Sequence, residues 1–291
     1  MGTFGNSWEL TKLSFSVIKK DKEILILPLI SGVFLVIIWI LLFASILGVF
    51  LLLPSWAAIL FNPPVLYAWP FLLFFLYVIS YFIVIYFNAA VIACATIRLN
   101  GGDPTIRDGL TIASRHMGKI FAWALVSATI GIILQLLSNR AGLAGRIALW
   151  LIGVAWSVAT YFIVPVLIYE DAGAWESLKK SAGTFKRTFG ETFISNITLG
   201  LIFFGLALIG LIPVGIGIWY YIKFNTLLVP IICVIAAVIY WIIIACLNSA
   251  AEGILIAALY RYAKTGKISP DFAPIQSGFP VYTNTPNNFS K

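Results

Sequence analysis

Residues 227–260 read LLVPIICVIAAVIYWIIIACLNSAAEGILIAALY, an apolar run whose only acidic or basic side chain is Glu252. A bilayer core of roughly 30 Å takes about 20 helical residues to cross, so this stretch reads as a membrane-spanning helix. Five other runs meet or nearly meet that length: Ile24–Leu53, Val65–Ile97, Ile120–Leu137, Ile147–Tyr169 and Phe193–Pro213. The whole chain agrees, with 61% hydrophobic and 10% charged residues and a mean hydropathy of +1.02, too little polar surface for a soluble domain. Barrel strands would be about half as long and would alternate in polarity. The expected fold class is therefore all-α, a polytopic membrane protein of six transmembrane helices.

The charges between the runs give an orientation, because cytoplasmic loops retain Lys and Arg. With the N-terminus inside, sixteen basic residues fall on the inner side and three, Arg140, Arg146 and Lys223, on the outer. Both termini are then cytoplasmic, and the localisation is the cytoplasmic membrane. Ten of the eleven acidic residues share the inner side, so the net charge of +8 needs no nucleic acid and points to anionic lipid headgroups. The first apolar run is too long for a signal peptide and follows some two dozen amphipathic residues, so it is expected to remain in the mature protein.

The inner loops carry short amphipathic patterns. Leu10, Leu13, Val17 and Ile18 form one apolar stripe, with Lys12, Lys19 and Lys22 on other faces, the pattern of a helix lying on the membrane. Asp103 before Pro104 reads as a helix cap, followed by Ile106, Leu110 and Ala113 on one side. Sliding the first pattern by 167 residues matches Trp8 with Trp175, Glu9 with Glu176, Lys12 with Lys179, Ser14 with Ser181 and Lys19 with Lys186. At an offset of 68, Asp108 and Leu110 fall opposite Glu176 and Leu178. The chain thus reads as a threefold internal repeat of one cytoplasmic amphipathic helix and two spans, in units of about 7–98, 104–169 and 174–261. Together they make a single transmembrane domain over 1–263, with a loosely ordered cytoplasmic tail over 264–291. Trp8, Lys12, Trp175 and Lys179 are the candidate interfacial anchors.

Polar groups inside the spans are the candidates for specific work. Glu252 lies nine residues before Arg261, roughly 13 Å deep on an unbroken helix. Asn248 stands one turn earlier with Ser249 beside it, and Asn88 occupies a similar inner-half depth in the second span. These four form a candidate intramembrane polar site, read either as the lining of a cytoplasm-facing cavity or, the favoured reading, as interhelical glue with Glu252 neutral or met by an arginine. Pro165, Pro213 and Pro230 are expected to kink or end their helices.

Catalytic chemistry is hard to build from this chain. His116 is the one histidine, which leaves no His-based triad or metal site, and no His, Cys or carboxylate cluster has ligand spacing. The glycines form no phosphate-cradling loop, and Cys94, Cys233 and Cys246 read as apolar packing residues. No catalytic residue, cofactor or metal is expected.

Several blocks resemble an uncharacterised prokaryotic family of six-span membrane proteins. They are Ser7-Trp8-Glu9-Leu10 through Glu23 to Gly32, Phe87-Asn88-Ala89-Ala90, Gly101-Gly102-Asp103-Pro104, Pro165 with Glu170 to Ser181, and Ala258-Leu259-Tyr260-Arg261-Tyr262-Ala263. The proline-terminated span, acidic residue and Ser/Lys-rich helix are also similar to the membrane domain of some glycerophosphodiester phosphodiesterases, which implies a link to lipid handling. The expected function is a non-catalytic accessory, scaffold or lipid-organising membrane component, partnered by lipids and by another membrane protein or a second copy. A small permease or channel built around Asn88, Asn248 and Glu252 is the alternative, and an intramembrane enzyme ranks third.

Overall fold

In the computed structural model, which describes residues 3–52, 63–170 and 172–266, every regular element is helical. Helix α1 (Thr3–Lys20) leads through a 3-10 turn (Lys22–Leu25) into α2 (Ile26–Leu52), followed by α3 (Pro63–Leu99). Next come α4 (Ile106–Arg115), α5 (Met117–Arg140), α6 (Leu143–Thr160) and α7 (Ile163–Tyr169). The last described elements are α8 (Ala174–Arg187), α9 (Phe189–Ile209), α10 (Leu211–Phe224) and α11 (Leu228–Thr265). Among the described residues six segments are long and apolar enough to cross a membrane: Lys22–Gly48, Trp69–Leu99, Met117–Arg140, Leu143–Tyr169, Asn196–Phe224 and Leu228–Thr265. They coincide with the six apolar runs of the sequence, and the protein is an all-helical, multi-pass membrane protein. The tail from Ser269 and the connection around Trp56 and Asn62 lie outside the described residues.

Two compact units divide the chain. One comprises Met1–Leu29, Val91–Gly109 and Gly183–Lys291; the other comprises Ile30–Ala90 and Leu110–Ala182.

In the first unit α1 packs against α9 and α11, and α10 runs back along α11. Leu13, Val17 and Ile18 are buried, and the Phe15 ring stacks on Phe203 at 5.9 Å. The apolar stripe of α1 is therefore spent on other helices of the chain, where the sequence pattern suggested a bilayer surface. A stripe facing lipid and one facing a neighbouring helix have the same 3.6-residue period. Small residues let α11 approach α3: a Cβ on Gly253 would stand 2.6 Å from the Val91 side chain, and Ala250, Ala251, Ala257 and Ala258 are buried.

The fifth span differs from its sequence reading, in which it ended at Pro213. The helix breaks at Gly210, between α9 and α10, and resumes with Pro213 in the first turn of α10. A proline there cannot donate to the carbonyl four residues back, so the ladder parts just before it. In a membrane the carbonyls around such a break need donors, and the Gly210 N–H reaches Ala207 O, at 3.1 Å. The Tyr240 hydroxyl donates to Leu206 O at 2.7 Å and the Trp241 indole N–H to Ala207 O at 3.0 Å, both from α11. Gly210 leaves room for that indole, since a Cβ would lie 2.3 Å from its nitrogen. As a result Trp219, Tyr220 and Tyr221 belong to α10, and the turn to α11 begins at Asn225, whose φ of 50° lies in the left-handed region. Pro230 neither kinks nor ends a helix, because it occupies the first turn of α11, where the missing N–H costs nothing.

The second unit repeats the device. The fourth span breaks at Tyr161 and Phe162, three to four residues before Pro165, and α7 completes it. The fully buried Ser181 hydroxyl on α8 accepts the Phe162 N–H at 3.0 Å. Around the break Trp123 stacks on Trp156 at 5.7 Å, and Trp123, Ile163 and Leu167 form a buried cluster. Lys180 ties α8 to the end of α7, 2.9 Å from Glu176 and 3.2 Å from Glu170. Those two carboxylates, Glu176 first, hold the Lys180 ammonium above its ordinary pKa.

Helix α4 is capped by Thr105, where the sequence suggested Asp103. The Asp108 carboxylate accepts the Thr105 N–H at 3.0 Å and its hydroxyl at 2.7 Å, while the Asp108 N–H reaches the same hydroxyl oxygen at 3.3 Å, a reciprocal capping box. Donation from the Thr105 hydroxyl and then from its backbone N–H holds Asp108 below the ordinary aspartate range.

Two outcomes are expected. Gly210→Ala drives a methyl into the Trp241 indole and lowers stability by about 1–3 kcal/mol, read as the thermal midpoint in detergent. Because the folded pKa of Asp108 lies below its unfolded value, its contribution is full above the unfolded pKa and fades as pH falls through the folded one. A carboxyl NMR titration is expected to place Asp108 below ordinary aspartates, and Thr105→Val to move its midpoint upward.

Candidate functional site

The polar residues singled out in the spans fall on two helices. Asn248, Ser249 and Glu252 lie within about one turn on α11, in the first unit. Asn88 lies on α3 within the second unit, half-buried between Phe87 and Ala89. Because α11 runs without interruption from Leu228 to Thr265, Glu252 stands roughly 13 Å along the axis from Arg261.

The surroundings of Glu252 differ from those of its sequence neighbours. Ala250, Ala251 and Gly253 are buried, whereas Glu252 is exposed and Asn248 and Ser249 are half-buried. Among the described residues neither Glu252 nor the Asn248 and Asn88 amides hydrogen-bond to another group of the chain, and Glu252 has no ion pair. A carboxylate at this depth is costly in hydrocarbon, by about 2.5–3.5 kcal/mol on insertion scales.

A second cluster in the first unit went unnoticed as a unit in the sequence. Arg98, at the end of α3, donates through Nε and an Nη to both oxygens of Asp21, which follows α1, and through the same Nη to Asp103. The Asp21 side chain is 7% exposed and that of Arg98 21%. Beside them the Arg261 guanidinium donates to Leu99 O, one of the carbonyls left open at the end of α3. Gly101, at φ 86°, turns the chain back so that its N–H meets Arg98 O at 2.9 Å and the Gly102 N–H meets Ile97 O at 3.0 Å. The cluster joins the segments 21, 98–103 and 261, which makes it a structural clamp. Its sequence signal was the Gly101-Gly102-Asp103-Pro104 block, but nothing local ties Arg98 to Asp21.

The proposed interfacial anchors divide similarly. Trp175 is 70% exposed and Lys179, one turn on, is exposed as well; Lys12 is exposed on α1, and the Trp8 side chain lies outside the described residues. His116 is half-buried, its Nδ1 3.0 Å from Ile112 O. Cys94 is buried, Cys233 and Cys246 are half-buried, and all three are free thiols. Among the described residues no group of three or more His, Cys, Asp or Glu is placed to hold a metal ion.

Six apolar spans, a salt-bridged clamp and a lone carboxylate define a helical membrane protein whose polar residues, the clamp apart, are few and scattered. Residues 67–270 match a protein family of unknown function, DUF6159, and the chain belongs to that family. No curated protein and no solved structure matches the chain. The likeness to the membrane domain of glycerophosphodiester phosphodiesterases is not among the matches.

Removing Asp21 takes two of the three carboxylate contacts from a largely buried Arg98 and leaves it only the exposed Asp103. Asp21→Ala is therefore expected to cost about 3 kcal/mol, and the double variant Asp21→Leu/Arg98→Met distinctly less, both measured as unfolding midpoints in the same detergent.

Proposed function

We propose that this protein is an integral component of the cytoplasmic membrane without catalytic activity of its own, an accessory or scaffold subunit that docks another membrane protein through the face of α11 bearing Asn248 and Glu252. One observation carries the reading: Glu252 is exposed within a membrane span and pairs with nothing among the described residues of its own chain. An intramembrane carboxylate is normally met by a cation, an amide or water. A partner helix bearing one of these would recover the cost of leaving it against lipid.

The orientation proposed with it places both termini in the cytoplasm, on the strength of the sixteen-to-three division of Lys and Arg. We read α1, α4 and α8 as amphipathic helices at the inner surface, each opening a repeat of two spans. Ser14, Ala113 and Ser181, brought opposite one another by the offsets of 167 and 68, are each 0% exposed, which supports that reading. The exposed Lys19, Lys20, Lys186 and Arg187 suit anionic headgroups.

The test is purification from nanodiscs at native expression level, followed by mass spectrometry. The expected result is a stoichiometric membrane-protein partner that is lost with Glu252→Leu and kept with Leu228→Ala, a control on the same helix. A protein that purifies alone, moves a solute in proteoliposomes and loses that flux with Glu252→Gln would establish the permease reading instead.

A further inference from the structure

Helices α5 and α6 are held together where Trp123 stacks on Trp156, and toward the Ala141-Gly142 turn they border an open groove of about 560 Å³. That volume falls within the roughly 300–1,000 Å³ of ordinary ligand sites. Its walls are apolar over most of their length, formed by Leu134, Leu149, Trp150, Gly153, Val154 and Val158. Away from the turn the polar side chain that lines it, Ser157, is already bonded to Gly153 O at 3.0 Å.

The end near the turn is different. Arg146 and Ser138 line the groove there, each within four residues of the turn. Among the described residues neither the Arg146 guanidinium nor the Ser138 hydroxyl has a protein partner. From Arg146 to Val158 the groove follows α6 for roughly 18 Å, all within the fourth span. One charged end that donates hydrogen bonds, continuous with an apolar channel parallel to the membrane helices, has the polarity profile of a single lipid: phosphate at one end, acyl chain along the rest. An aqueous solute would leave the apolar walls unsatisfied. A neighbouring transmembrane helix would leave Arg146 unpaired unless it carried a matching acid.

We infer that the α5–α6 groove is a site for one glycerophospholipid, its phosphate bound by Arg146 and Ser138 and one acyl chain lying against Trp150, Val154 and Val158. The inference is independent of the docking proposed for Glu252, since the groove is built wholly within the second unit.

The experiment is photolabelling in mixed micelles at low mole fraction, using phosphatidylglycerol with a diazirine in one acyl chain, and mapping of the adducts by mass spectrometry. Adducts are expected to concentrate on residues 149–158. Arg146→Gln removes the charge-assisted bond to phosphate and is expected to reduce them about tenfold. Gly153→Leu is expected to do the same by filling the groove; a Cβ at Gly153 meets nothing within 4 Å, so the variant has room to fold. A diazirine-bearing diacylglycerol, which lacks the phosphate, is expected to label wild type as weakly as phosphatidylglycerol labels Arg146→Gln. Labelling spread evenly over all apolar helices, labelling unchanged in both variants, or a cross-link from this groove to a second copy of the chain would each overturn the assignment.

Discussion

The pairing of Arg98 with Asp21 is the constraint on which the first unit depends. A guanidinium at the end of one span can be desolvated only if its donors are met. Here a carboxylate 77 residues away meets two of them and Asp103 shares one. The pair fixes where the end of α1 lies against the end of α3, and the Gly101 turn with Arg261 closes the remaining carbonyls around it. Leu13, Val17 and Ile18 are then carried into the helices behind them. Such a pair contributes more to the choice of one arrangement than to net stability, because desolvation offsets most of its Coulomb attraction.

The same rule of satisfied polar groups governs the two broken spans. Each break precedes a proline by three or four residues, and each is answered from a neighbouring helix, by Ser181 for an N–H and by Tyr240 and Trp241 for carbonyls. With no water in hydrocarbon to serve as partner, these side chains are as necessary to the breaks as the prolines themselves. They also explain why polar and aromatic residues recur inside segments that hydropathy treats as uniform.

Against this background the groups left without partners stand out. Glu252 and Asn248 on one unit and Arg146 and Ser138 on the other are polar side chains in or at the ends of spans, and none is met from within the described chain. We have proposed a membrane-protein partner for the first pair and a lipid phosphate for the second.

Apolar length alone was enough to read six spans from the sequence, because about 20 residues are needed to cross a bilayer whatever the neighbours do. Glu252 was legible too, as a lone carboxylate in such a run, and its depth followed from helical rise. The ends were less legible: Pro213 looked like a terminus because the sequence does not record that Trp241 and Tyr240 wait opposite to cap the break. Asp103 looked like a cap because its competing partner, Arg98, is set by the turn at Gly101. The stripe of α1 could have faced lipid or protein, since periodicity names a buried face but not what buries it. The tertiary structure decided these points, because each depends on contacts between residues far apart in the chain, to which local pattern is blind.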